Sequence, residues 1–195
     1  WAASVCAGHV GRARALAGSE TSRDHRATVL AVPGAVRTLA DVFAEADALL
    51  DVAKKESAEQ SERRDETERE ELRIALGAGG TGKGAAAATR GSAGALKDLE
   101  KQQKARATRT VRDVLDRALV DLSGFYRDVI VYASGASAAL INPDVARDVH
   151  VAASRIGAEG ALRRLDAVLA CRVALERNVK PDIAIAALMM QLRVA

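Results

Sequence analysis

Aromatic residues are scarce: Phe, Trp and Tyr together make up 3% of the 195 residues. Strands favour aromatic and β-branched side chains and disfavour alanine, so an alanine-rich chain this poor in rings points to closely packed helices. Cysteine occurs only at Cys6 and Cys171. The two lie far apart, each within a helical pattern, and read as buried reduced thiols rather than a disulfide. His9, His25 and His150 are scattered, with no cysteine or carboxylate at ligand spacing, which argues against a metal site. No Gly-x-Ser-x-Gly nucleophile setting occurs. No apolar run approaches the ~20 residues of a membrane span. The opening Trp1-Ala-Ala-Ser lacks the basic start and apolar run of a signal peptide, and a chain beginning on Trp inside a helical pattern reads as part of a longer protein. The net charge of +3 makes by itself no case for nucleic-acid binding.

What is present is helical periodicity. Two long arms are expected, Thr38–Leu76 and Ser92–Ala133, joined by the glycine-rich run from Gly77 to Gly84. The first begins apolar at Leu39, Val42, Phe43, Ala46, Leu49, Leu50 and Ala53. The second ends apolar at Val111, Leu115, Leu119, Leu122, Tyr126, Val129 and Ile130. Spacing of this kind places each set on one stripe. Folded back on each other, the arms bury both stripes at one end and leave a polar hairpin at the other.

From Lys54 to Glu71 the only apolar residue is Ala58, so this stretch is expected to project as a solvated helix, held only by i,i+4 pairs worth ~0.2–0.5 kcal/mol each. From Lys97 to Arg112 the balance turns basic, with Lys97, Lys101, Lys104, Arg106, Arg109 and Arg112 against Asp98 and Glu100. An antiparallel hairpin brings this segment alongside the acidic one. Charge matching within the chain therefore competes with phosphate binding, and there are no interleaved aromatics for bases to stack on.

Elsewhere the boundaries are local. Ala2–Ala17 reads as a short helix broken at the Gly8–Gly11 step and closed by Gly18. Ser19 caps a second helix to about Val32, followed by a Pro33-Gly34 turn, and Thr38 caps the first arm. Ser134–Ser137 breaks the second arm. Asn142-Pro143 starts a helix, with Asn as cap, that runs to about Ile156. A turn at Gly157–Gly160 follows, then an amphipathic helix carrying Leu162, Leu165, Val168, Leu169, Val173 and Leu175. Asn178 is suited to a left-handed conformation that ends it, and Pro181 opens a last helix over Ile183–Leu192. No stretch alternates with period two, and the fold class is all-α.

Gly77-x-x-x-x-Gly82-Lys83 matches the opening of a phosphate-binding loop. A working loop follows a buried strand and places Ser or Thr after the lysine to hold magnesium. Here a charged helix precedes it and Gly84 follows. A flexible connection between helices explains the same glycines, and no catalytic, cofactor-binding or metal-binding residue is assigned.

Two ends of the chain resemble the clamp-loader group of AAA+ ATPases. Ala7-Gly8-His9-Val10-Gly11-Arg12-Ala13 is similar to the glycine step that begins a helix of the AAA+ lid. Leu165 to Asn178, followed by Val179-Lys-Pro-Asp-Ile-Ala-Ile-Ala-Ala-Leu188, resembles the end of the collar domain, where a helix stops at an Asn and a proline-initiated apolar helix follows. Ala75–Ala88 and Leu99–Arg109 look like the extended collar of the actinobacterial version. ATP-hydrolysing members usually carry an arginine three residues after the first lid glycine. Here that place is Gly11 and the arginine is Arg12, as in members that do not hydrolyse ATP.

The resemblance implies that residues 1–32 end the lid subdomain. Residues 33–195 would then form a helical collar-type bundle from which a hairpin over 54–112 projects. It implies a cytoplasmic replication protein without a cofactor of its own in this region. Its partners would be the other loader subunits (tau/gamma and delta) and, through the assembly, the sliding clamp and primed DNA. Subunit contacts are expected from apolar residues of the last two helices, Leu165, Leu169, Val173, Ile183, Leu188 and Leu192. Arg12 is the candidate of the lid helix, more readily a helix-surface arginine than a contact to a neighbour. The rival readings are the tau/gamma collar and a free-standing helical adaptor or DNA-binding hairpin.

Overall fold

Six α-helices account for most of the chain in the computed structural model, which describes residues 1–6, 8–76 and 85–193, with backbone alone over 85–93. They are α1 (Val10–Gly18), α2 (Glu20–Ala35), α3 (Leu39–Ala75), α4 (Ala85–Ala133), α5 (Ala146–Glu176) and α6 (Pro181–Leu192). Short 3-10 turns occupy Ser4–Cys6 and Pro143–Val145, and the described residues contain no strand. The fold is all-α.

Local chemistry explains most of the boundaries. His9 starts α1 by accepting the Arg12 backbone N–H on Nδ1 at 3.2 Å. Ser19 closes α1 through its own N–H to the Ala15 carbonyl and opens α2 by accepting the Ser22 N–H. Thr38 and Asp41 form a reciprocal box: Thr38 Oγ1 accepts the Asp41 N–H at 3.2 Å, and Asp41 Oδ2 accepts the Thr38 N–H at 2.7 Å. Those hydrogen bonds hold the Asp41 carboxyl below its ordinary value. The ends of α4 and α5 share one geometry. Gly135 (φ 65°) and Asn178 (φ 64°) turn left-handed, and each helix's last free carbonyls accept the two N–H groups that follow.

Several boundaries depart from the expected ones. Gly18 does not turn left-handed to close the first helix but is its last residue, and Ser19 supplies the cap. Pro33 lies inside α2, which continues to Ala35. It falls in the last turn, where its missing N–H removes a single bond, and buried Val32 and Val36 hold the chain on course. The second arm begins at Ala85 rather than Ser92, through a run of alanines, the best helix formers. The expected turn over Gly157–Gly160 contracts to one residue, Gly157 (φ 63°, ψ −177°), and helix resumes immediately. The side chain of Asn142 makes no cap hydrogen bond, because it is engaged elsewhere.

Two compact units result, and α3 and α4 pass through both: residues Trp1–Val52 with Leu115–Ala195, and residues Ala53–Val114. The core of the first includes Val32, Val36, Val42, Leu49 and Leu50, with Leu115, Leu119, Leu122, Phe125, Tyr126 and Val129 of α4. Val149 and Val168 of α5 and Ile185, Leu188, Met189 and Leu192 of α6 are also buried. Cys6 and Cys171 are buried and free, as expected, and burial pushes the Cys171 thiol up to about 11.

In the second unit the polar part of α3 meets α4. Ser57 is buried and donates to the Ala107 carbonyl at 3.1 Å, and Gln103 is buried and donates to the Asp65 carbonyl at 3.0 Å. Arg106 forks onto Glu68 at 2.6 and 3.0 Å and reaches Asp65 at 2.5 Å. The expected charge matching is therefore present. The expectation that this stretch of α3 is held only by its own i,i+4 pairs is corrected, because hydrogen bonds and ion pairs to α4 make a contact that needs no apolar stripe.

Candidate subunit interface

The first unit contains a buried cluster of charge. Arg12 of α1 forms an ion pair with Asp121 of α4, both side chains at least nine-tenths buried. Arg26 of α2 lies 3.6 Å from Asp121, donates to Asp144 at 2.5 Å and to Asn142 Oδ1 at 2.7 Å, and sits over the Trp1 ring at 5.4 Å. Burial outweighs the two arginines and holds the Asp121 carboxyl above its ordinary value. Asp128, fully buried, accepts the backbone N–H groups of Ile141 and Asn142 at 2.9 and 2.8 Å and the Asn142 amide at 2.9 Å.

Arg12 is thus held inside the unit rather than standing on a helix surface. The cluster fastens α1, α2 and the 141–144 loop to α4. Each carboxylate is matched by a donor, so it offers neither a desolvated acid–base pair nor an open ligand set. Among the described residues no group of three or more His, Cys, Asp or Glu is arranged to hold a metal. Beside the cluster a mostly apolar cavity of about 300 Å³ is lined by Cys6, Asp121, Gly124, Ile141 and Leu165. The run from Gly77 to Lys83, and Ala7 of the lid step, lie outside the described residues.

The other distinctive feature is a second apolar face on the last two helices. α5 and α6 pack on each other, with the Cys171 thiol donating to the Ala184 carbonyl and Arg164 to the carbonyls of Leu192 and Arg193. After Gly157, α5 buries Ala161, Val168, Cys171 and Leu175. Leu162, Leu169 and Val173, at i, i+7 and i+11, lie across the helix from these and are 50, 43 and 44% exposed. α6 repeats the arrangement: Ala184, Ile185, Leu188, Met189 and Leu192 are buried, while Ile183 and Met190, opposite them, are 61 and 46% exposed. A helix apolar all round is normally covered all round.

Of the six residues expected at an interface, Leu169, Val173 and Ile183 are exposed, and Leu165 is half-buried in the cavity wall. Leu188 and Leu192 belong to the core. Leu162 and Met190 were not among the six, although helical spacing from Leu169 and Ile183 picks them out.

No helix among the described residues is long and apolar enough to cross a membrane. No curated protein and no solved structure matches the chain. Residues 111–194 match the family described as DNA polymerase III, delta subunit, C terminal. The match begins in α4, takes in α5 and α6, and includes both exposed apolar stripes. The likeness is to this C-terminal segment, less than half of the chain.

Proposed function

We propose that the chain is the collar-forming C-terminal region of a clamp-loader subunit of the delta-prime kind, of actinobacterial type. In this reading residues 1–32 end the AAA+ lid and residues 33–195 form the collar, which packs against the tau/gamma and delta subunits. Through that assembly the sliding clamp is set on primed DNA. The observation that carries the reading is the unpartnered stripe of Leu162, Leu169 and Val173 on α5, with Ile183 and Met190 on α6, inside the matched segment. Covering five half-exposed apolar side chains contributes about 1 kcal/mol each toward subunit packing, with no catalytic group involved. Arg12 supports the non-hydrolysing assignment. Its guanidinium is committed to Asp121, and Gly11 stands where hydrolysing members place their nucleotide-contacting arginine.

The test is co-assembly with purified tau/gamma and delta subunits, followed by sedimentation. The double variant Leu169→Glu with Ile183→Glu should weaken incorporation at least about 30-fold, the effect of one interface hot spot. Because both side chains face solvent in the free chain, its thermal midpoint should stay near the parent's. Unimpaired assembly of the variant would refute the reading. Calorimetric titration with ATP should give no stoichiometric binding at micromolar concentration, and a tight site would refute the reading.

A further inference from the structure

The second unit leaves part of its charge unused. Of the bases between Lys97 and Arg112, Arg106 faces α3 and takes up Asp65 and Glu68. Lys97, Lys101, Lys104 and Arg109 are exposed and form no ion pair among the described residues. The three lysines stand at i, i+4 and i+7, on one face of α4. At 1.5 Å per residue they span about 10 Å, the axial length of about three nucleotides of one strand.

The character of the row selects its partner. Thr108 continues the same face, which Glu100 and Ala105 border and which carries no large apolar or aromatic side chain. Protein interfaces are depleted in lysine and built around aromatic, apolar and arginine anchors, which this row lacks. Hydrated ammonium groups on flexible stems suit a phosphodiester backbone, where contacts remain wet and the gain comes from released counter-ions. Contacts made to phosphates alone read no sequence.

We infer that the Lys97–Lys101–Lys104 row of α4 binds the phosphodiester backbone of a nucleic acid. The row belongs to the second unit and the subunit-packing stripe to the first, so either assignment can fail without the other.

The experiment is fluorescence anisotropy of the whole chain with a labelled duplex and with a labelled single strand of the same length, across a salt series. Three contacts give duplex binding a log–log salt slope of about −2.7, so affinity falls about 40-fold between about 50 and 200 mM salt; for a single strand the slope is about −2.1. The tighter form identifies the source of the phosphates. The triple variant K97Q/K101Q/K104Q should remove nearly all of that slope, and K97R/K101R/K104R should keep it. The variant R14Q/R147Q/R155Q changes the net charge equally at exposed positions of the first unit and should bind like the parent. Four outcomes overturn the inference: no binding at the lowest salt, a K97Q/K101Q/K104Q variant that binds like the parent, an equal loss in R14Q/R147Q/R155Q, or displacement by polyglutamate as effective as by nucleic acid.

Discussion

Asp128 ties the loop ahead of α5 to α4 within the first unit. It is fully buried at the end of α4, and its two oxygens accept the N–H groups of Ile141 and Asn142 just ahead of the turn that starts α5. Truncation leaves those donors without an acceptor, at a cost near that of breaking a buried charged contact. Asp128→Ala should therefore destabilise the chain by about 3 kcal/mol, measured by urea unfolding, and Asp128→Asn by less because one oxygen remains. A change below about 0.5 kcal/mol would contradict this account of the loop. Asn142 illustrates the limit of local reading. Its place before Pro143 predicts a cap, but Arg26 and Asp128, distant in sequence, take up its side chain.

At the scale of the helix, Gly157 separates the two halves of α5 with a conformation (φ 63°, ψ −177°) open essentially only to glycine. Nothing lies within 4 Å of the position a Cβ would take, so Gly157→Ala meets strain without a clash. The cost should be about 2 kcal/mol, read as a fall of roughly 4–8 °C in the thermal midpoint. An unchanged midpoint would mean that the kink relaxes freely.

The α3–α4 pairing carries the clearest pH dependence. Arg106, and after it Arg64, hold the Glu68 carboxyl at about 2 against an ordinary 4.5. A lowered carboxylate adds stability above its unfolded value that is lost as protons bind. Protection of α3 and α4 amides over residues 53–114 should thus be complete above pH 4.5 and decay toward pH 2. In Arg106→Gln most of that pH dependence should vanish. Hydrogen exchange gives the answer, and a parent equally protected at both ends of the range would exclude Arg106 as the clasp.

For the molecule as a whole, helix starts and stops were largely legible because they depend on neighbours a few residues apart. Ser19, the Thr38–Asp41 box, Pro181 and left-handed Asn178 act within one turn of helix. The all-α class followed from apolar spacing and alanine content, and the meeting of acidic and basic arms from their order along the chain. Only the tertiary structure decided which face of α6 is buried. With apolar residues all round that helix, periodicity does not separate Leu188 and Leu192 in the core from Ile183 and Met190 at the surface; packing on α5 does. Likewise Arg12 and Asp121 lie more than a hundred residues apart, and no local propensity links them. Capping and periodicity are short-range and written into the chain, whereas burial and ion pairing depend on which distant segment arrives alongside.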